Sequence, residues 1–265
     1  MAATARIKSL LQSGKVARVF NCGQFLSHKF VEIIGHHGGY DGVFIDQEHA
    51  PGNSAMDVEF AALAASASGL DSFVRRPATD YASAMAPLEA GAGGVLFSMI
   101  RDADHAEEAM QWVKFRPRGN RGLFGANRDA RYGLTPVQKY VTKANTESLV
   151  GMQIETQGAL DDVGKIAKIA DLDLVFVGPH DLSQVLGVTG EVDHPLVWDA
   201  ITKVSAECKD AGVAWGVVPK DDEYAKRALD LGCQVFLAGH DFAAIHAGIQ
   251  QTLQAYPSLF GETSG

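Results

Sequence analysis

Ser148-Leu-Val-Gly-Met-Gln-Ile-Glu155 and Leu172-Asp-Leu-Val-Phe-Val-Gly-Pro-His-Asp181-Leu-Ser183 are apolar runs that each deliver a carboxylate at or just past their end. Ser148–Met152 and Leu172–Val177 have the length and β-branched content of buried strands. Glu155 and Asp181 therefore fall at strand C-terminal ends, where ligands bind in parallel α/β proteins. Taken singly, each acid reads as a solvated loop residue or a helix N-cap. Asp181 stands where a cap would, before a helix beginning at Leu182. As a pair in this register they read as a hard-oxygen site for Mg2+ or Mn2+, with positions left for water and substrate.

Six further runs share this character: Ala17–Phe20, Gly42–Ile45, Ser72–Val74, Gly94–Phe97, Ala214–Val218 and Gln234–Leu237. Helical periodicity separates most of them, at Ser54–Ser68, Tyr81–Ala90, Asp104–Lys114, Ala159–Ile169, Pro195–Ala211 and Asp221–Leu231. Gly69, Gly91, Gly212 and Gly232 stand where helices end before the next strand. Eight strands alternating with helices in 265 residues predict a single (β/α)8 barrel domain spanning 1–265. A doubly wound open sheet is the alternative, weakened by the absence of a Gly-x-Gly-x-x-Gly turn after the first strand.

One interval breaks the rhythm. A long insertion near 115–148 mixes Arg, Gly and aromatic residues from Phe115 to Gly133, then predicts a helix over Pro136–Ala144. Long loops in compact domains serve function or interfaces, so this one reads as an anion-binding or subunit-contact segment, or as a mobile solvated loop. A net charge of −9 excludes a phosphate-backbone partner, and hence nucleic acid. Cys22, Cys208 and Cys233 lack metal spacing and read as free thiols of a reducing compartment. Met1–Lys15 reads as a short amphipathic helix without a signal-type apolar region, and no run suits a membrane span. The expectation is a soluble cytoplasmic protein.

The remaining strand ends carry more chemistry. Strand two leaves through Ile45-Asp-Gln-Glu-His-Ala-Pro51, with Pro51 stopping the strand. His49 is suited to proton shuttling, and an acid beside it, Asp46 among them, to orienting its ring; a hydrogen-bonded turn histidine is the plain alternative. His240 follows strand eight and approaches the same face with nothing to pair with. Strand three ends in Arg75-Arg76-Pro77; adjacent residues point oppositely, so one guanidinium at most faces the centre, to meet a carboxylate or an enolate oxygen. Gly178, Pro179 and His180 offer backbone amides for an anion. Lys220 lies beyond strand seven without a desolvating setting, so no Schiff-base lysine is evident. Together these groups fit a 2-oxo acid bound to a divalent metal and carried through its enolate.

The segments Gly39–Pro51, Val74-Arg75, Gly119–Gly122, Gln153-Ile-Glu155 and Val177–Ser183 resemble the HpcH/HpaI aldolase family, the metal-dependent class II pyruvate aldolases. They occur in family order and span most of the chain. The resemblance implies a modified TIM barrel with Mg2+, Mn2+ or Co2+ on Glu155 and Asp181. It implies pyruvate held by Gln153 and the amides near Gly178 and His180, Arg75 on the enolate oxygen, and His49 near Asp46 in proton transfer. A further acid, reaching a neighbouring subunit's histidine, would fall at Glu89. The implied assembly is a hexamer, a trimer of dimers exchanging their last helices, here Phe242–Tyr256. The implied reaction cleaves a 4-hydroxy-2-oxo acid reversibly into pyruvate and an aldehyde.

The chain departs from the family pattern in three places. The first strand reads Val16-Ala-Arg-Val-Phe-Asn-Cys-Gly23 instead of a Gly-x-Trp-like segment, which alters a wall of the pyruvate pocket. His180 occupies a position commonly small, adding bulk near the carboxylate site and a route to a changed acceptor range. Ile33–Gly39 carries an extra residue. The alternatives are a CoA-thioester lyase of the citrate-lyase β type and a catalytically silent barrel serving as a binding subunit.

Overall fold

A computed structural model describes residues 6–50 and 52–261. The expectation for Pro51 lies outside the described residues, as do the first five residues of the N-terminal helix segment. The path runs α1 (Arg6–Gln12), β1 (Ala17–Cys22), α2 (His28–His37), β2 (Gly42–Asp46), α3 (Ala55–Ala67), β3 (Asp71–Pro77), α4 (Tyr81–Glu89) and β4 (Gly94–Ser98). It continues through α5 (Ala103–Val113), α6 (Val137–Glu147), β5 (Leu149–Ile154), α7 (Gln157–Asp161), α8 (Val163–Ile166), β6 (Leu174–Val177) and α9 (Pro179–Val185). Then follow α10 (Pro195–Ala211), β7 (Ala214–Val217), α11 (Asp222–Asp230), β8 (Val235–His240), α12 (Asp241–Ala255) and α13 (Pro257–Phe260). The strands pair in sequence order, all parallel, and β8 closes on β1.

Alternation along each strand sorts residues between two cores. Val19, Phe44, Phe73, Leu96, Leu174 and Phe176 fill the inside of the barrel with apolar side chains. Val43, Ile45 and Val74 face outward and pack with Val58, Ala61 and Ala65 of α3. Each large side chain buried in this way contributes about 1.5–3 kcal/mol relative to exposure. Ser54, Asp80, Asp102 and Asp221 cap α3, α4, α5 and α11 by accepting N–H bonds from the first turn. Each such cap adds about 1 kcal/mol and sits where a strand has just handed over to its helix. Gly69, Gly91, Gly212 and Gly232 all have positive φ, as expected at helix ends.

Two local expectations are corrected. The helix expected over Ala159–Ile169 is two short helices broken at Asp162, whose carboxylate accepts from Ala103 N–H at 3.3 Å and pairs with Lys165 at 2.7 Å. The 115–148 insertion is no solvated loop, because Phe115, Ala130, Tyr140 and Ala144 form a small core of their own. Arg121 is buried there, its guanidinium 4.7 Å from the Phe115 ring centroid and donating to Tyr140 Oη at 3.0 Å. Arg118 pairs with Glu107 and Asp171, so two arginines that suggested anion binding hold the insertion together instead. Lys114 Nζ donates to Asn145 O at 2.8 Å, and burial pushes its ammonium down to about 8.

Candidate active site

The polar groups gather where the strands end. Glu155 follows β5 and is buried, and Asp181 lies half-buried in the first turn of α9. The helix starts at Pro179, three residues earlier than expected, because proline suits the first helical position. Asp181 is therefore inside the helix, and no side chain caps it. This removes the N-cap reading of Asp181. Met99 N–H donates to Glu155 Oε1 at 2.6 Å, and Gln153 Nε2 donates to Glu155 Oε2. Burial pushes the Glu155 carboxyl up to about 7; Glu48 and Asp181 add negative charge, against the Met99 bond and Arg75.

Gly178 sets how closely β6 approaches this group. A Cβ there would lie 2.7 Å from Gln153 Nε2 and 3.0 Å from Glu155 Oε2, so a side chain would displace both. The Gly178 amide is not free for an anion as expected: it donates to Ile154 O at 3.3 Å. Pro179 has no N–H, so the predicted amide set shrinks to the first-turn amides of His180 and Asp181. Gln153, expected to hold substrate, is engaged by Glu155, and its Oε1 is buried without a partner.

Arg75 faces the centre, whereas Arg76 lines a side cavity with Gln47, Asn53 and Pro87. The Arg75 fork grips Asp46 at both ends, Nε to Oδ1 at 3.1 Å and Nη2 to Oδ2 at 2.7 Å. Glu48 Oε2 is 3.2 Å from Arg75 Nε, an ion-pair distance without hydrogen-bond alignment. Burial alone would raise the Asp46 carboxyl; the Arg75 bond and charge, with the Glu48 and His49 amides, outweigh it and hold it below its ordinary value. Asp46 therefore orients Arg75, and only the backbone of His49 reaches it, at 3.3 Å. The His49 ring is largely exposed, with Nε2 3.8 Å from Glu48 Oε2. Glu48, not Asp46, is the acid beside the ring.

Glu89 does not belong to this constellation. It ends α4, which runs from the strand-end face back toward the N-terminal face, so the helix length separates it from Glu155 within one chain. Lys220 pairs with Asp193 at 2.6 Å and takes no part. Several residues escaped sequence reading. Asp241, 1% exposed, accepts from Gly23 N–H at 2.9 Å and Phe25 N–H at 2.7 Å, fixing the β1–α2 loop over the barrel end. Asn53 donates to Gly23 O and Asp46 O at 2.8 and 3.0 Å. Glu48 was legible from period-two alternation, two residues after Asp46; Asp241 and Asn53 act on backbone across long sequence gaps and leave no local signal.

The residues present suit a divalent cation. Two carboxylates, an unpartnered buried amide oxygen and excess negative charge make a hard-oxygen donor set. Among the described residues no cluster of three His, Cys, Asp or Glu side chains could enclose a metal, so Glu155 and Asp181 would leave positions for substrate and water. Two cavities lie elsewhere. One of about 540 Å3 sits beside Lys8, Asp173 and Trp215 at the opposite end, and one of about 410 Å3 lies beside Asp71 and Arg128. With the His49 and His180 side chains exposed, the strand-end mouth is open in the single chain.

The family described as HpcH/HpaI aldolase/citrate lyase matches residues 25–247. A hydroxypyruvate/pyruvate aldolase of Paraburkholderia phytofirmans is 33% identical over 223 residues, covering 82% of this chain and 85% of that protein. A 4-hydroxy-2-oxo-heptane-1,7-dioate aldolase of Shigella flexneri is 32% identical, covering 85% and 82%. The crystal structure of an HpcH/HpaI aldolase/citrate lyase family protein from Burkholderia cenocepacia superposes with a TM-score of 0.87 at 32% identity, covering 95% of this chain and 99% of that one. The chain belongs to the HpcH/HpaI aldolase/citrate lyase family.

Proposed function

We propose that the chain is a class II pyruvate aldolase, which cleaves a 4-hydroxy-2-oxo acid into pyruvate and an aldehyde and runs the reverse addition. The observation that carries this reading is the buried Glu155 beside Asp181 and opposite Arg75, at the ends of three strands of one barrel. Relatives named as aldolases support it over a thioester lyase.

Glu155 and Asp181 would hold Mg2+, Mn2+ or Co2+, which when bound polarises the keto group and offsets developing negative charge. Gln153 and the Met99 amide keep Glu155 aimed at that position. Arg75 has five N–H donors, and Asp46 occupies two. The remaining three, on a guanidinium that Asp46 holds in place, are left to stabilise the enolate oxygen of pyruvate. His49, exposed and backed by Glu48, exchanges the aldol hydroxyl proton, directly or through a water. The first-turn amides of His180 and Asp181 meet the substrate carboxylate.

Cys22, Cys208 and Cys233 are free and buried, which suits a reducing, cytoplasmic setting. No helix among the described residues is long and apolar enough to cross a membrane. The open mouth and the exposed α12 suit a homo-oligomer, a hexamer built from dimers that exchange this helix. The reading is tested by substitution. Glu155→Ala and Asp181→Ala should abolish both retro-aldol activity and the rise in Tm on adding Mn2+. His49→Ala should slow the reaction while keeping the Mn2+ shift. Unchanged turnover in Glu155→Ala would exclude the proposed site.

A further inference from the structure

We propose that His240, Asn21 and His180 form a hydroxyl-recognising wall that makes the enzyme prefer 2-hydroxy aldehydes over alkyl aldehydes as the partner of pyruvate. This rests on the aldolase reading above and adds its specificity determinants.

The backbone aims His240. Strict alternation after Leu237, which faces the barrel interior, would send residue 240 outward. The β1–β8 pairing instead shifts, from Val19 opposite Leu237 to Asn21 opposite His240, so β8 spends one residue more than β1. This is a bulge, and a bulge re-aims the side chain that follows it. Gly239 makes it possible at φ +119°, where a Cβ would lie 2.8 Å from the Phe20 ring and 3.0 Å from Tyr40 Oη. His240 returns to the register of Asn21, which also pairs with Phe44 on the inner side. His180, leaving β6 across the short β7 end, is close enough to His240 to interact with it electrostatically.

Much of the mouth is committed to bonds within the protein, whereas these three side chains, like those of His49 and Asp181, are not. Asp46, Arg75, Gln153, Glu155, Asn53 and Asp241 all spend side-chain hydrogen bonds within the protein. Among the described residues, none hydrogen-bonds the side chains of Asn21, His180 or His240. Asn21 and His240 are half-buried and His180 is exposed, so their donors and acceptors are open to a ligand.

The chemistry of the wall selects the ligand. Burial holds the His240 imidazole below its ordinary value; Asp241 pulls the other way and His180 reinforces burial. A neutral imidazole and a carboxamide each both donate and accept, which matches a hydroxyl group. A carboxylate on the aldehyde would meet no lysine or arginine in this wall, and the buried Asp241 carboxylate acts on His240 as well. A methyl group would leave the half-buried Asn21 and His240 without a partner, the situation that favours discrimination.

Glycolaldehyde and propanal differ by one hydroxyl in place of one methyl, so they isolate the effect. Pyruvate consumption by the full-length protein with Mn2+ would be followed with each aldehyde, and with succinic semialdehyde as a carboxylate-bearing comparison. We expect kcat/KM to favour glycolaldehyde, and the glycolaldehyde-to-propanal ratio to fall about tenfold in His240→Val. His180→Ala, at an exposed position that cannot upset packing, should lower the ratio as well. His240→Gln should restore part of it, with the KM for pyruvate unchanged in both His240 variants. An unaltered ratio in active His240→Val and His180→Ala, or a wild-type preference for succinic semialdehyde or propanal, would overturn the wall while leaving the aldolase intact. No consumption with any aldehyde would overturn both.

Discussion

In the proposed role Glu155 meets two demands that conflict: it would have to be ionised to bind a cation, and it is buried beside Glu48 and Asp181. The Gln153 and Met99 donors offset part of that conflict and fix the carboxylate in one orientation. Arg75 faces the same question with opposite sign, and Asp46 answers it with two parallel hydrogen bonds. A lysine could not reproduce that grip, since an ammonium is a point charge without a planar fork. Arg75→Lys is therefore expected to lower kcat by about a hundredfold while leaving the Mn2+-induced Tm shift in place. Wild-type kcat in that variant would remove Arg75 from the reaction. At this scale the sequence was informative about which residues matter and less so about their partners. Asp46 was matched to His49 by adjacency, but a strand-end side chain faces its neighbour in register, and β2 pairs Asp46 with Arg75.

Elements place these residues through small departures from regularity. Starting α9 at Pro179 turns Asp181 from a cap into a first-turn side chain whose charge acts on Glu155. The β8 bulge brings His240 inward, and it depends on one glycine. Gly239→Ala combines an unfavourable φ with contact against Phe20 and Tyr40, and should cost about 1–3 kcal/mol. Urea unfolding measures this; an unchanged midpoint would mean that the bulge tolerates a side chain. The strands themselves were legible because parallel strands buried on both faces read as continuous apolar runs. The bulge was not, because Ala-Gly-His leaves the same pattern whether or not a residue is inserted. The small core of the insertion was hidden for a related reason: Arg121 and Arg118 look solvent-seeking in sequence, and only the fold supplies Phe115, Tyr140 and Glu107 around them.

The described chain is a closed barrel that leaves apolar surface uncovered, its last long helix included. Of α12 only Asp241 is buried, while Phe242, Ile249, Leu259 and Phe260 near the C-terminus are 44%, 53%, 74% and 52% exposed. So much apolar surface at one end is typical of a face covered by another chain. Light scattering on the purified protein should give a multiple of the single-chain mass, and a monomer at micromolar concentration would refute the exchanged-helix assembly. The alternation of strands and helices made the barrel readable, whereas closure by β8 on β1 and the bareness of α12 depend on contacts that no local pattern encodes. The central claim is that this barrel mouth performs metal-dependent aldol chemistry on a 4-hydroxy-2-oxo acid. Its most direct test is pyruvate release from such an acid after EDTA treatment, followed by addition of Mn2+ or Mg2+. Pyruvate formation lost with EDTA and restored by metal is the predicted result. Formation undiminished by EDTA, or absent with every metal, would contradict it.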